Sequence, residues 1–344
     1  MSFVRYNPED SVLSSETVVR GLFTAANGGD TNTLGAGNFV TQSGYTEYYL
    51  DVYNALPSSS GSVQFAIQYG NINGSGSNVI NTSTYTVGKS PSRIVYGEYR
   101  NLVYGTENQN FSFNNGATTG SDIFVINYAR ARYKESLLPG SFNLKLAYGS
   151  ASIQLTDDSN TTSLTRFIGE NRYYNIVSGS NGNYYNAAAS QSYGFMFPDL
   201  DIIVLDATPF VSSSALYFIG GLYTTASLAT SSFTTASYNT TILYRAMASS
   251  SLAQSMTLQS EETVSSRYFF TRVKNSDFNY TTNPSIIDDN GNLLYTTLIN
   301  NPQTYITTVG MYNDNNELLA VAKLSRPLTK DFTKEALIRI KLDY

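Results

Sequence analysis

Side chains able to do chemistry are few in this chain, and the absent ones decide more than the present ones. Its 344 residues include no Cys, no His and no Trp. A structural zinc site of the usual kind, a catalytic thiol, a Ser-His-Asp triad and an imidazole proton shuttle are thereby excluded. What remains is carboxylate, Tyr, Lys and Ser chemistry, with oxygen ligands for any metal. The lack of Cys leaves the redox compartment open, because a chain that never uses thiols folds alike in reducing and oxidising surroundings.

Carboxylates that fall close together are therefore the first candidates. Asp199, Asp201 and Asp206 surround the apolar run Ile202-Ile203-Val204-Leu205. Alternation on a strand would place Asp199 and Asp201 on one face, where they could begin a divalent-ion site. Pro198 beside them makes a strand-entry turn the simpler reading, and an oxygen cage usually needs about six donors. Asp288 and Asp289 precede Asn290-Gly291. As a calcium loop the spacing is wrong and no Glu closes it, so a type I′ hairpin turn is expected. A glycosidase needs two carboxylates across a cleft, and Glu107, Asp157, Glu261 and Glu262 are the available pool. Glu261-Glu262 reads more simply as a solvated edge entering a strand. The loop NINGSGS, residues 71–77, lacks the Lys and spacing of a phosphate cradle. Asn-x-Ser/Thr sites at Asn73, Asn81, Asn160, Asn239 and Asn279 arise by chance in so Asn- and Ser-rich a chain. No catalytic, cofactor-binding or metal residue is assigned, and no cofactor is expected.

The elements that would position such groups are mainly strands. Residues 62–69, SVQFAIQY, alternate Val63, Phe65, Ile67 and Tyr69 with Gln64, Ala66 and Gln68, which is a strand with one buried face. Ser90-Pro91 reads as an N-cap with Pro at the first helical position, followed by Ile94, Val95, Tyr99, Leu102 and Val103 at helical spacing and stopped by Gly105. Strands are expected over 122–128 and 141–148, with one or two helical turns in the charged ARARYKESLLPG between them. DLDIIVLD, 199–206, has the unbroken apolar run of a buried strand. TTASLATSSFTTAS, 224–237, reads as an extended connection, and a helix is expected from an Asn239 N-cap through Ile242, Leu243, Ala246 and Met247 to about Leu252. The last eighty residues read as strands at 267–273, 293–298, 305–312, 318–324 and 336–344, separated by Asn290-Gly291 and Asn313-Asp314-Asn315-Asn316.

These elements amount to a mainly β chain: an antiparallel, sandwich-like body with a few short helices and an inserted polar β-rich region. The expected divisions are an N-terminal arm over 1–15, a β-rich domain with one helix over 16–150, a polar inserted or second β domain over 151–260, and a C-terminal antiparallel sheet over 261–344 packing on the first domain. No window of about 18 apolar residues exists to span a membrane, and the N-terminus has no secretory pattern.

Charged residues are only 14% and the net charge is −5, so Ser, Thr, Asn, Gly and Tyr must cover the surface. Such a neutral, hydroxyl-rich surface suits dry contacts with permanent neighbours better than life as a free enzyme. The 28 Tyr and 18 Phe point the same way, since an amphipathic ring buries area while keeping a hydroxyl for bonding. Strands also favour Tyr on their own account. Without basic clusters, no nucleic-acid partner is expected.

A family likeness lies in RYFFTRVKNSDFNYTTNPSI (267–286), NPQTYITTVGMYNDNNELLAVAKLSRP (301–327) and the closing strand that ends LDY. These stretches resemble structural proteins of T-even-like contractile-tailed phages, including those of cyanobacteria, with fainter echoes in ARARYKESLLPG and GFMFPDLDIIVLD. The resemblance covers roughly the last 80 residues. It implies a non-enzymatic virion component, a wedge-type subunit of the tail baseplate, assembled in the host cytoplasm with other virion proteins and copies of itself. Other readings stand beside it. One is a receptor-binding or fibre-associated adhesin that meets host glycans through Tyr, Asn and Ser; another is a neck or capsid decoration protein; a third is a carboxylate-pair hydrolase. A structural subunit should carry Tyr on flat or convex patches, an adhesin in a groove, and a hydrolase two carboxylates facing one cleft.

Overall fold

The computed structural model describes residues 4–25, 29–34, 40–41, 48–54, 61–74, 90–148, 151–162, 165–185, 192–208, 240, 243–244, 246–248, 256–281, 283–300 and 302–343. The chain is mainly β and antiparallel, with few and short helices, as the sequence patterns require. It divides into two compact units, one of Met1–Thr17 with Thr263–Tyr344 and one of Val18–Glu262.

In the larger unit one sheet runs in the order Thr33–Leu34, Met256–Thr257, Asn143–Tyr148, Ala151–Asp157, Asn171–Ser180, Gly194–Phe197, Ile202–Asp206, Asp122–Asn127, Val63–Asn71, Leu50–Tyr53 and Val40–Thr41. Strands on both sides of residue 150 thus share one sheet. Its centre is fixed in register by Val125 opposite both Val204 and Gln68. The run Ile202-Ile203-Val204-Leu205 is unbroken because both faces of this strand are covered. Ile203 and Leu205 join Phe124, Ile126 and Met196 in one core, with Leu22, Phe23, Leu243, Ala246 and Met247 packed on it. Ile202 and Val204 join Ile123, Val125, Phe195 and Phe197 in a second core under the helix Pro91–Tyr104.

That helix starts at Pro91 and ends at Gly105, whose φ of +67° only glycine adopts without strain. Ser90 occupies the N-cap position, yet its hydroxyl makes no cap bond, so Pro91 at the first position carries the start alone. The buried stripe is Val95, Tyr96, Tyr99 and Val103, while Ile94 and Leu102 of the expected stripe are each 47% exposed. Tyr96 joins the expected Tyr99 in their place, because each ring buries area and also satisfies buried polar groups. The Tyr96 hydroxyl donates to Gly120 O (2.8 Å) and accepts from Phe111 N (3.2 Å), and the Tyr99 hydroxyl donates to Gln68 and accepts from Asn127. Each such buried ring contributes about 1.5–3 kcal/mol. Gly70 lets the helix approach its strand: a Cβ there would sit 3.0 Å from the Tyr96 backbone.

ARARYKESLLPG forms no helix. Residues 130–132 make a turn and Ser136–Leu137 a short strand. Arg132 explains it: its guanidinium donates to Val63 O, Thr24 Oγ1 (2.9 Å) and Ser62 Oγ (2.9 Å), an arrangement that ties the segment to two strand ends. The residues 224–237, Asn81, Asn239, Ile242, Leu252 and the end of the NINGSGS loop lie outside the described residues. Leu243, Ala246 and Met247 are helical and fully buried.

In the smaller unit Ser266–Val273 pairs with Ala336–Asp343, Ser266 opposite Asp343 and Val273 opposite Ala336. Residues expected as an arm contribute more than an arm: Ser11–Gly21 is a strand beside Gln259–Val273. A long hairpin, Thr304–Tyr312 with Leu318–Lys330, packs its inner side chains Ile306, Val309, Ala322, Leu324 and Leu328 against Val273, Ile338 and Ile340. The strand expected over 293–298 is replaced by one bridge, Ile287 to Leu293, and a helical turn, Thr297–Asn300.

Two turns of this unit share one hydrogen-bond pattern. Asp288 Oδ1 accepts the Asn290 and Asn292 amides at 3.0 and 2.7 Å, and Asn313 Oδ1 accepts those of Asn315 and Glu317 at 3.0 and 2.8 Å. The fourth residue is left-handed in both, Gly291 at φ +82° and Asn316 at φ +60°. Only one residue of each turn is left-handed, so the expected type I′ geometry, which needs two in succession, is not adopted at 290–291. The side-chain acceptor holds a longer turn closed instead. Those donated amides hold the Asp288 carboxyl below the usual carboxylate range.

Candidate functional site

The carboxylates singled out above do not converge. Asp199 and Asp201 sit in a turn before Ile202–Asp206, not on one strand face, because the chain reverses at Pro198. Asp199 is exposed and pairs with Arg172 at 2.9 Å. Asp206 is buried, where desolvation raises its carboxyl and the Thr208 amide, 3.0 Å away, pulls it back in part. Asp157 is fully buried, its two oxygens accepting the Gly140 amide at 2.9 and 3.0 Å. Glu261 accepts from the Ser136 hydroxyl (2.9 Å) and lies 3.7 Å from Arg172, while Glu107 is exposed. Among the described residues, no group of three or more acidic side chains could hold a metal ion.

Asp201 is the most perturbed of the set. It is 1% exposed, has φ of +57°, and neither carboxylate oxygen meets a donor at hydrogen-bonding geometry. Desolvation lifts its carboxyl to about 7, against a smaller downward pull from the nearby Tyr133 hydroxyl and Arg130. In the unfolded chain the group titrates near 3.8. Between those values the folded state holds a proton that the unfolded state has lost, so stability falls as pH rises through that window. Asp201→Asn keeps the shape, tolerates the left-handed backbone and cannot ionise. It is expected to raise the melting temperature at pH 8 by roughly 2–4 °C for each kcal/mol relieved, with little change at pH 4. Melts of both proteins across that range check the sign.

A concave site does exist elsewhere in the larger unit. A cleft of about 480 Å³ is lined by Tyr104, Gln109, Ser112, Asn115, Phe167 and Tyr173, with Asn175 and Phe195 also in the wall. One side is the C-terminal end of the helix Pro91–Tyr104 and the segment behind it. The other is the hairpin of Arg166–Ile168 with Asn171–Ser180. Asn171 docks that hairpin on the helix end, its amide donating to Val103 O (3.0 Å) and Leu102 O (3.3 Å). Here the last carbonyls of a helix find a side-chain donor.

Rings build the cleft wall from the core outward. Phe113 lies 4.9 Å from Phe195, Tyr173 meets Phe195 edge-on at 5.0 Å, and Tyr104 meets Phe111 edge-on at 5.4 Å. Burial pushes the Tyr104 hydroxyl up to about 12, so it stays a neutral donor and acceptor. At the rim Phe167 is 60% exposed.

The polar groups are held in place. Asn175 gives its backbone and side-chain N–H to Asp158 at 3.0 and 3.2 Å, and Asp158, itself fully buried, pairs with Arg166 at 2.5 Å. Asp158 accepts only, so the amide nitrogen must face it, and the Asn175 carbonyl oxygen points elsewhere. Asn115 sits in a turn of three successive left-handed residues, Asn114, Asn115 and Gly116, at φ +54°, +55° and +94°. Asn114 fastens that turn by donating to Thr118 Oγ1 (2.8 Å) and accepting from Ser192 N (2.5 Å). Runs of positive φ are strained and persist only where surroundings hold them.

None of Glu107, Asp157, Glu261 and Glu262 lines this cleft. Its residues come from three distant segments rich in ordinary Asn, Ser and Tyr, so no spacing marked them. Asn114-Asn115-Gly116 was the one local signal. Compared with family models, with curated proteins and with solved structures, the chain finds no match.

Proposed function

We propose that this chain is a non-enzymatic structural subunit of a phage virion, a wedge-type component of the tail baseplate that holds its neighbours through aromatic and hydroxyl-rich surfaces. The likeness of the last 80 residues to T-even-like phage structural proteins supports the particle. The observation that carries the assembly role is the outer face of the long hairpin. Tyr305, Leu318, Leu319 and Val321 are 62%, 52%, 68% and 57% exposed there, and Tyr312 40%. Among the described residues the hairpin is a two-stranded sheet with no further strand on either edge. A sheet face that exposes these large apolar side chains, interrupted by Thr308 and Lys323, and that has open edges is a liability on a free protein and a natural contact in a permanent assembly. No helix among the described residues is long and apolar enough to cross a membrane.

The test is the solution mass of the full chain, alone and mixed with the products of adjacent genes. A stable complex is the expected result. Val321→Glu, at a 57% exposed position, is expected to leave the melting temperature unchanged and to weaken that complex by at least about tenfold. A chain that stays monomeric beside those proteins, or a variant that assembles as well as the parent, contradicts the proposal.

A further inference from the structure

We infer that the cleft between the helix end and the Arg166–Ile168 hairpin binds a neutral carbohydrate. The inference is independent of the assembly role, since a subunit of a particle can also carry a ligand site.

Charge narrows the ligand first. Among the described residues, no Asp, Glu, Lys or Arg lines the cleft. Asp158 behind it is already matched by Arg166. A phosphate, nucleotide, sulfated or sialylated sugar would find no cation to pair with and would lose its hydration. The lining chemistry narrows it further. Tyr104, Phe167 and Tyr173 offer ring faces and edges, while Gln109, Asn115 and Asn175 offer amides. A purely apolar ligand would strand those amides without partners. A pyranose suits both, because its C–H face packs on a ring and its equatorial hydroxyls each give and take a hydrogen bond, as an amide does. A volume of about 480 Å³ lies within the range of small-ligand sites.

Preorganisation separates this cleft from an accidental dent. The Asn175 amide is oriented by a buried, ion-paired carboxylate, and Asn115 is presented by a fastened left-handed turn. Groups fixed before the ligand arrives lose little freedom on binding. Phe167, largely exposed, contributes little to the core of its own hairpin and stands in the cleft wall, where a sugar face can pack on it.

The experiment incubates the full chain with an array of neutral hexose, N-acetylhexosamine and deoxyhexose oligosaccharides alongside sialylated and sulfated ones. Calorimetric titration of the best neutral oligosaccharide follows. Retention of at least one neutral sugar is expected, weakened at least tenfold by Phe167→Ala and by Asn115→Gly, which removes the amide and accepts the left-handed backbone, and unchanged in Val321→Glu. Both cleft positions are exposed, so melting curves should match the parent and exclude misfolding as the cause. Binding of no neutral sugar, preference for charged ones, or equal binding by the cleft variants would overturn the inference. Loss of assembly in Val321→Glu with sugar binding intact would keep the two roles apart.

Discussion

Asp158→Ala is expected to destabilise the larger unit by about 3–5 kcal/mol, the cost of removing one member of a buried ion pair. The side chain is fully buried and accepts from three groups: the Asn175 backbone, the Asn175 amide and Arg166. Ala leaves an amide N–H of a central strand unsatisfied, together with the Asn175 side-chain donor and a guanidinium that is 30% exposed. Asp158→Asn retains one acceptor and points a donor at Arg166, so an intermediate loss is expected. Arg166→Ala should be comparably costly, because it leaves the fully buried Asp158 charge with only the Asn175 donors. Denaturant unfolding of the three variants gives the order directly. Asp158→Ala also frees the Asn175 amide, so sugar binding should weaken even where folding is restored by a stabilising osmolyte. A loss below about 1 kcal/mol for Asp158→Ala would mean that water replaces Asp158 at no cost, contrary to its burial.

Lys330→Ala should be comparably severe in the smaller unit, about 3–5 kcal/mol. Lys330 is 0% exposed at the end of the long hairpin. Its ammonium donates to Asn275 O (2.9 Å), Asn279 Oδ1 (2.8 Å) and Asp331 O (2.8 Å). Three donors meet three acceptors, which is all an ammonium can give. This knot joins the end of the hairpin to the segment that follows the strand Gln259–Val273. Lys330→Met keeps the length of the stem and removes the charge, yet takes the ammonium from Asn279 Oδ1, while Asn275 O still accepts from the Asn279 amide and Asp331 O from the Lys334 N–H. It should therefore recover only part of the loss. Hydrogen exchange should show the amides of Thr304–Tyr312 and Leu318–Lys330 opening together in both variants, since Thr304 pairs with Lys330 in the hairpin register. Near-parental stability of the Met variant would show that the packing of the stem, and not its hydrogen bonds, holds the hairpin.

How much of this was legible in the sequence depends on the range of the forces involved. The strand Val63–Asn71 and the helix Pro91–Tyr104 were readable because alternation, Pro91 and Gly105 are local statements about the backbone. Ile202–Asp206 was readable because a strand covered on both faces has to be apolar throughout. ARARYKESLLPG was misread because its helical composition is overridden by Arg132, which reaches backbone and hydroxyl groups about seventy to a hundred residues earlier in sequence. Ile94 and Leu102 were misplaced because hydropathy ranks them above Tyr, whereas the interface also demanded hydroxyls for Gly120 O and the Phe111 amide. At Asn290-Gly291 the dipeptide suggested a two-residue turn, and Asp288 closed a longer one with its side chain. The cleft was out of reach for the opposite reason. Asn, Ser and Tyr are everywhere in this chain, so residues 104–116, 167–175 and 195 gain meaning only once the hairpin docks on the helix end.

If the chain is the virion subunit proposed above, quantitative mass spectrometry of virus particles purified by density gradient from a lysate that contains it tests the central claim most directly. A virion subunit should band with the particles at a fixed ratio to their other structural proteins and survive washing in high salt, since the hairpin face proposed to make its contacts is built mainly from Tyr, Leu and Val. Recovery of the chain only in the soluble lysate, or at a ratio that falls with each further purification step, would contradict the account.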